Sequence, residues 1–248
     1  MDPQNFHHHQ CSLWRFEIFD TLSKHVAQKG KKVKFIHVGA NVGNSSDDPV
    51  FGYVVNHGWQ GALVEPVPYL FEKLKKNYEP YSDLSFFQLC CSTQQGTLPF
   101  YMLEEASASD SPLGPFLSSF EKEVILKHSG FFTDLASHIR EIQVETVRVD
   151  TIIERANLQG FNALVVDTEG HDDKVVAGLN LDAHAPELIM VEYHHLQLEM
   201  LRHMHERLLD YGYRPIWMYY EIIYVRHTDL NYPLVKKITT LSETMYRL

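Results

Sequence analysis

Cysteine is scarce in this 248-residue chain: there are three, Cys11, Cys90 and Cys91. An odd count with two adjacent residues excludes a disulfide framework and a zinc ligand set. Cys90 and Cys91 fall in a strand-like run, Leu84–Cys91, and read as buried thiols. A reducing, cytoplasmic compartment follows from that usage. Long apolar runs are missing as well. Nothing in the chain reads as a bilayer span or a signal peptide, so no membrane partner is expected. Basic residues are in deficit, with 22 Lys and Arg against 32 Asp and Glu and a formal net charge of −10. This balance argues against nucleic acid held on a broad basic surface, and leaves room for a small charged substrate. No internal repeat is visible. The length fits one α/β domain over residues 1–248, carrying an insertion. The polar opening Met1–Gln10, with His7-His8-His9, is expected to be loose.

What the chain does have is a glycine pair in an informative place. The apolar run Lys34–Val38 ends in Gly39-Ala40-Asn41-Val42-Gly43, and a second run, Ala62-Leu63-Val64, ends in Glu65. This is the layout of a nucleotide-binding βαβ unit. Glycine lets the chain turn off the strand and lets a ligand approach the backbone. An acid at the second strand end accepts hydrogen bonds from ribose hydroxyls. The third glycine of the dinucleotide fingerprint is absent, so no phosphate cradle is expected at a helix N-terminus. S-adenosylmethionine carries no phosphate and fits such a loop better than NAD. The plain alternative is a tight βα turn with no ligand.

Periodicity orders the rest. Ser12–Gln28 predicts an amphipathic helix, with Leu13, Phe16, Phe19, Leu22 and Val26 inward and Gly30 as its stop. Strands are expected at Val33–Val38, Ala62–Glu65, Leu84–Cys91, Thr97–Leu103, Thr146–Thr151, Ala163–Asp167 and Leu188–Tyr193. Pro49–His57, with Val50, Val54 and Val55 inward, Tyr69–Asn77 and Leu196–Tyr211 read as helices. Tyr213–Met218 and Glu221–Arg226 read as a terminal hairpin. The alternation implies a doubly wound, mostly parallel Rossmann-like sheet with an antiparallel edge. The stretch 104–143 breaks the rhythm. It opens on the Ser/Pro/Gly-rich loop Ser107–Pro115, carries Phe116, Phe120, Phe131 and Phe132, and predicts two short helices. Ser118–Glu121 reads as a capping box for the first, and Thr133 or Asp134 as a cap for the second. A lid over the substrate is the expected role.

Ligands of open α/β sheets bind beyond the carboxyl ends of the strands. Gly39–Gly43, Glu65, Asp167 and Glu192 all lie at such ends and should share one crevice. Asp167 and Glu169 also have a plainer reading as helix caps, and His171, His194 and His195 as solvated loop residues. Asp167, Glu192 and His194 form a candidate set for a divalent cation, as an alternative to metal-free chemistry.

These residues carry a family resemblance. The chain resembles the FkbM-type methyltransferases through Val38–Gly43, Val64-Glu65-Pro66-Val67-Pro68, Val149-Asp150-Thr151-Ile152, Val166–His171 and Val191-Glu192. That resemblance implies a class I, Rossmann-like fold and S-adenosylmethionine-dependent O-methylation of a small-molecule hydroxyl, on a sugar or polyketide-like product. It places His37, Gly39, Asn41, Gly43 and Asp167 around the methionine part, Glu65 at the ribose, and Cys91 and Ser92 near the adenine. At position 37 the family has an acid that helps hold the cationic end of the cofactor, and this chain has histidine. Val165 stands where the family has lysine. Of the candidate bases for a hydroxyl proton, His171 comes first, its pKa expected to be raised by Asp167 and Glu169, and His194 second. The rival functions are an NAD-dependent oxidoreductase and a non-catalytic nucleoside-binding module.

Overall fold

The computed structural model describes residues 3–45, 48–108, 114 and 117–226. Phe116 and most of the Ser107–Pro115 loop lie outside these residues. In chain order the elements are α1 (Pro3–Gln28), β1 (Lys34–Val38), α2 (Phe51–His57), β2 (Gln60–Val64), α3 (Pro68–Tyr78), β3 (Leu84–Phe87), β4 (Cys90–Cys91) and β5 (Gly96–Leu103). Then come α4 (Glu105–Ala108), β6 (Ser118–Ser119), α5 (Lys122–Leu126), α6 (Leu135–His138), β7 (Ile139–Val147) and α7 (Val149–Arg155). The chain continues through β8 (Ala163–Val166), α8 (Asp172–Ala177), α9 (Leu181–His184), β9 (Leu188–Glu192), α10 (Leu198–Asp210), β10 (Tyr213–Trp217) and β11 (Glu221–Arg226).

Seven strands form the main sheet in the order β10-β11-β9-β8-β1-β2-β3. β3, β2, β1, β8 and β9 run parallel, and the β10–β11 hairpin adds the antiparallel edge. The central strands are buried on both faces, which is why they read as unbroken apolar runs. Alternate residues feed opposite cores. Phe35, Ala163, Val165, Leu188 and Met190 pack on the side of α1 and α2. Ile36, Val38, Leu164, Val166, Ile189 and Val191 pack on the side of α7, α8 and α10. The order of strands reverses between β1 and β8, so a crevice opens at their carboxyl ends.

Several expected boundaries move, each for a packing reason. Helix α1 starts at Pro3, so most of the opening segment is helical rather than loose. Its inner face is Trp14, Ile18, Phe19, Leu22 and Val26, while Leu13 and Phe16 are exposed. Val55 of α2 is exposed too. The run Leu84–Cys91 divides. β3 stays on β2, whereas β4 leaves to pair with Thr146 and Val147 of β7. Together β4, β7, β5 and β6 make a second sheet.

β7 begins at Ile139, not Thr146, and pairs with β5 antiparallel from Gly96↔Thr146 to Leu103↔Ile139. The final part of the 104–143 stretch is therefore sheet. Around it, Leu103, Leu117, Ile125, Leu135 and Ile139 form a small separate core. The two short helices are present as α5 and α6, but the capping box is not. Ser118–Ser119 is strand β6, and Ser119 Oγ accepts from the Glu121 amide at 3.2 Å one residue before α5. Asp134 sits at the start of α6 in the left-handed region, with no side-chain cap bond. No helix among the described residues is long and apolar enough to cross a membrane.

Candidate active site

The crevice at the β1–β8 switch point encloses about 880 Å³ including its open mouth, within the range of small-molecule sites. One wall is the loop after β1. Gly39 has φ +81°, and a Cβ there would lie 1.7 Å from the Asp167 carbonyl oxygen. Only glycine lets this loop lie against the exit of β8. Gly39→Ala is expected to destabilise the fold by about 3 kcal/mol or more, combining left-handed strain with a backbone clash. A thermal melt close to wild type would show that the loop can rearrange. Gly43 faces elsewhere. At φ +71°, a Cβ on it would meet Leu74 and Tyr78 of α3. Gly43 is thus a helix-packing glycine and does not line the crevice.

Glu65 follows β2 and is 4 % exposed. Its Oε2 accepts from the Asn41 amide at 2.9 Å and its Oε1 from the Val67 amide at 2.8 Å. Asn41, at φ +49°, is held there, and its own Oδ1 accepts from the Val42 amide at 2.7 Å. Burial pushes the Glu65 carboxyl up to about 7, against the pull of these two amides. His37 on β1 is buried, and burial lowers its pKa despite Asp48, whose Oδ2 lies 4.0 Å from its Nδ1. Asp48 lines the same wall, and no motif in the sequence marks it. Cys90 and Cys91 form the far wall with Leu89. Their thiols are pushed up by burial, Cys91 to about 12, so they are neutral and apolar. Phe100, Ser118 and Phe120 from the second sheet and the segment after β6 close the remaining side.

The family model of the methyltransferase FkbM domain matches residues 37–215. The chain belongs to the FkbM methyltransferase domain family. The match runs from the β1 wall of the crevice through both acidic strand exits to β10. No curated protein matches the chain. Among solved structures, the chain is similar to the precorrin-6y C5,15-methyltransferase of Geobacter metallireducens at 10% identity, covering 79% of this chain and 80% of that one, with TM-score 0.39. It is also similar to the N-terminal domain of human METTL16 in complex with SAH, at 12% identity, covering 85% and 69%, with TM-score 0.43.

In this FkbM-family chain the exits of β8 and β9 bring together an acidic floor. Asp167 is open to the crevice and ringed by protein on its other sides. Desolvation by the protein packed around it, then the charges of Asp172 and Glu221, push it up to about 7. Glu192, with which it shares a hydrogen bond, is driven further above the carboxylate range by burial and by Asp167. Glu169, at φ +53°, also lines the crevice, and burial and Asp167 raise it to about 8. Its Oε2 lies 3.2 Å from His195 Nε2. Burial lowers His195 as it raises Glu169, which disfavours an ion pair between them. Neither Asp167 nor Glu169 caps α8. Asp172, completely buried, accepts from Thr168 Oγ1 at 2.9 Å and the Gly170 amide at 3.3 Å, and so fixes this turn.

Four expectations need correction. His171 lines the crevice, but burial lowers its pKa to about 4; Asp167 and Glu169 do not raise it. Its Nε2 contacts Ser92 Oγ at 3.0 Å and its ring lies 4.4 Å from that of Phe120. Ser92 thus supports His171 from behind and is not a lining residue. His194 is exposed, its ring 5.0 Å from Tyr220, while its neighbour His195 turns inward. Among the described residues, the set whose ligand atoms lie within 4.8 Å of one another is Glu169, Glu192 and His195, in place of Asp167, Glu192 and His194. Successive residues after a strand point to different sides, so the strand end alone does not choose between His194 and His195.

The buried carboxyls set a pH dependence of stability. Glu65 and Glu169 have folded pKa values near 7 and 8 against a usual 4.5, so the folded state holds their protons more tightly. Their contribution is complete at low pH and is lost as pH rises to about 8. His37 and His171, lowered from 6.5, act oppositely, but only below that value. Between pH 6.5 and 8 the carboxyls act alone. The melting temperature of the ligand-free protein should fall across that window, and Glu65→Gln should flatten the fall. A melting temperature that rises with pH there would contradict the burial of these groups.

Proposed function

We propose that the crevice binds S-adenosylmethionine and that the protein methylates a hydroxyl of a small-molecule acceptor. The observation that carries this reading is Glu65: a buried carboxyl beside the β1 loop, already orienting the Asn41 amide, with lone pairs left for two ribose hydroxyls. Gly39, Ala40 and Asn41 offer close backbone for the methionine part, and Cys91 and Leu89 an apolar wall for the adenine. The donor, when bound, supplies an electrophilic methyl group on a sulfonium.

The chain's own work is alignment and proton removal. A sulfonium donor is cationic, which suits Asp167, the least raised carboxyl of this floor. Glu169 in its ionised form takes the hydroxyl proton, with His195 hydrogen-bonded behind it. Neutral His171, braced by Ser92, orients the acceptor. Ser118 and Phe120, from the 104–143 insertion, line the acceptor side. Calorimetry on the purified protein is the test. Tight binding of S-adenosylmethionine and S-adenosylhomocysteine, with none of NAD, is expected. Binding of NAD alone would give the site to an oxidoreductase.

A further inference from the structure

The crevice wall beside the β1 loop holds a buried His37 ring nitrogen and a buried Asp48 carboxyl oxygen that face one another without a direct hydrogen bond. Asp48 Oδ1 is occupied, accepting from the amides of Val50 at 2.8 Å and Phe51 at 2.6 Å at the start of α2. Its Oδ2 is turned toward His37 Nδ1 at 4.0 Å, too far for a direct hydrogen bond. His37 Nδ1 is buried and has no hydrogen-bond partner among the described residues. Both side chains are 4 % exposed. Leaving such groups unsatisfied is costly, so the place suits a ligand that brings donors. Gly39 and Asn41, proposed above for the methionine part, line the same crevice as this pair.

We infer that Asp48 and His37 together form the seat of the cofactor's α-ammonium group. A primary ammonium has three donors and no acceptor, and one group set between the two atoms reaches both. Burial raises the Asp48 carboxyl, an ammonium set beside it favours its ionised form, and the imidazole offers a neutral acceptor. This assignment rests on the S-adenosylmethionine reading and adds a residue pair to it. The acid comes from the loop entering α2, close enough to the exit of β8 for its charge to help raise Asp167, so the two acids border the same end of the crevice.

The test compares two ligands by calorimetry. One is S-adenosylhomocysteine. The other is its desamino analogue, which keeps the nucleoside, thioether and carboxylate and lacks only the ammonium. Asp48→Asn keeps an oxygen to cap the α2 amides and removes the charge. It should weaken S-adenosylhomocysteine by about 10–100-fold, the range of a charge-assisted hydrogen bond, and change the desamino analogue by less than about threefold. Asp48→Ser, which keeps a cap oxygen without an amide, should give the same split if Asp48→Asn folds poorly. Equal weakening of both ligands, or of neither, would overturn the assignment and leave Asp48 as a cap of α2. If the wild-type protein binds neither ligand, the S-adenosylmethionine reading fails first and the ammonium seat with it.

Discussion

Replacing Glu169 by glutamine is expected to lower turnover by about 10²–10⁴-fold while leaving cofactor affinity near wild type. An amide has the shape of the carboxylate and cannot take a proton. Glu169 is the crevice-lining carboxyl raised to about 8, close to the range in which a base is both strong and available. Methyl transfer to a hydroxyl needs that proton removed. Because the ionised form is the reactive one, wild-type turnover should climb as pH rises toward 8 and level off above it. His171 is lowered to about 4, which makes it a weaker base that is already neutral throughout this range. His171→Ala should then cost about tenfold, the worth of one orienting hydrogen bond, and leave the pH profile unmoved. A large loss in His171→Ala, with near-normal Glu169→Gln and a profile flat above pH 5, would return the base role to His171. Loss of turnover on chelation, restored by a divalent cation, would transfer the proton chemistry to a metal on Glu169, Glu192 and His195.

Glu65→Ala should remove roughly 2 kcal/mol or more of cofactor binding, about 30-fold in Kd. Two effects add. The ribose loses charge-assisted acceptors, and the amides of Asn41 and Val67 lose the carboxylate that positions the loop. Glu65→Gln keeps one acceptor oxygen and should lose less. The Glu65 pKa near 7 also predicts that affinity improves as pH rises through neutrality, since two donated O–H bonds favour the ionised form. Calorimetry with S-adenosylhomocysteine on the folded variant decides. Unchanged affinity would place the ribose elsewhere.

Much of the scaffold was legible because its signals are local. Ala163–Val166 and Leu188–Val191 read as central strands because both their faces are covered, and they are. Gly39 and Glu65 were legible because strand ends and a left-handed turn leave marks in single residues. The second sheet was harder. Leu84–Cys91 is one apolar run, and nothing in it says that Phe87 stays on β2 while Cys90 crosses to β7. The alternation Ile142, Val144, Thr146 against Glu141, Gln143, Glu145 did signal a strand in β7, but the charged residues hid it among loop signals.

By itself, then, the sequence determined the doubly wound order, the crevice at the strand ends and the acids that reach it, because hydrophobic period and chain direction fix which ends meet. Only the tertiary structure decided which of those groups act together. It paired Asp48 with His37 across the loop, turned His195 inward and His194 out, and pointed Gly43 at α3. It also reversed the expected shift of His171. Nearby acids suggest a raised pKa, but the desolvation of a ring packed on Phe120 outweighs them. Burial is a property of all the chain around a group, and no stretch of neighbouring sequence contains it.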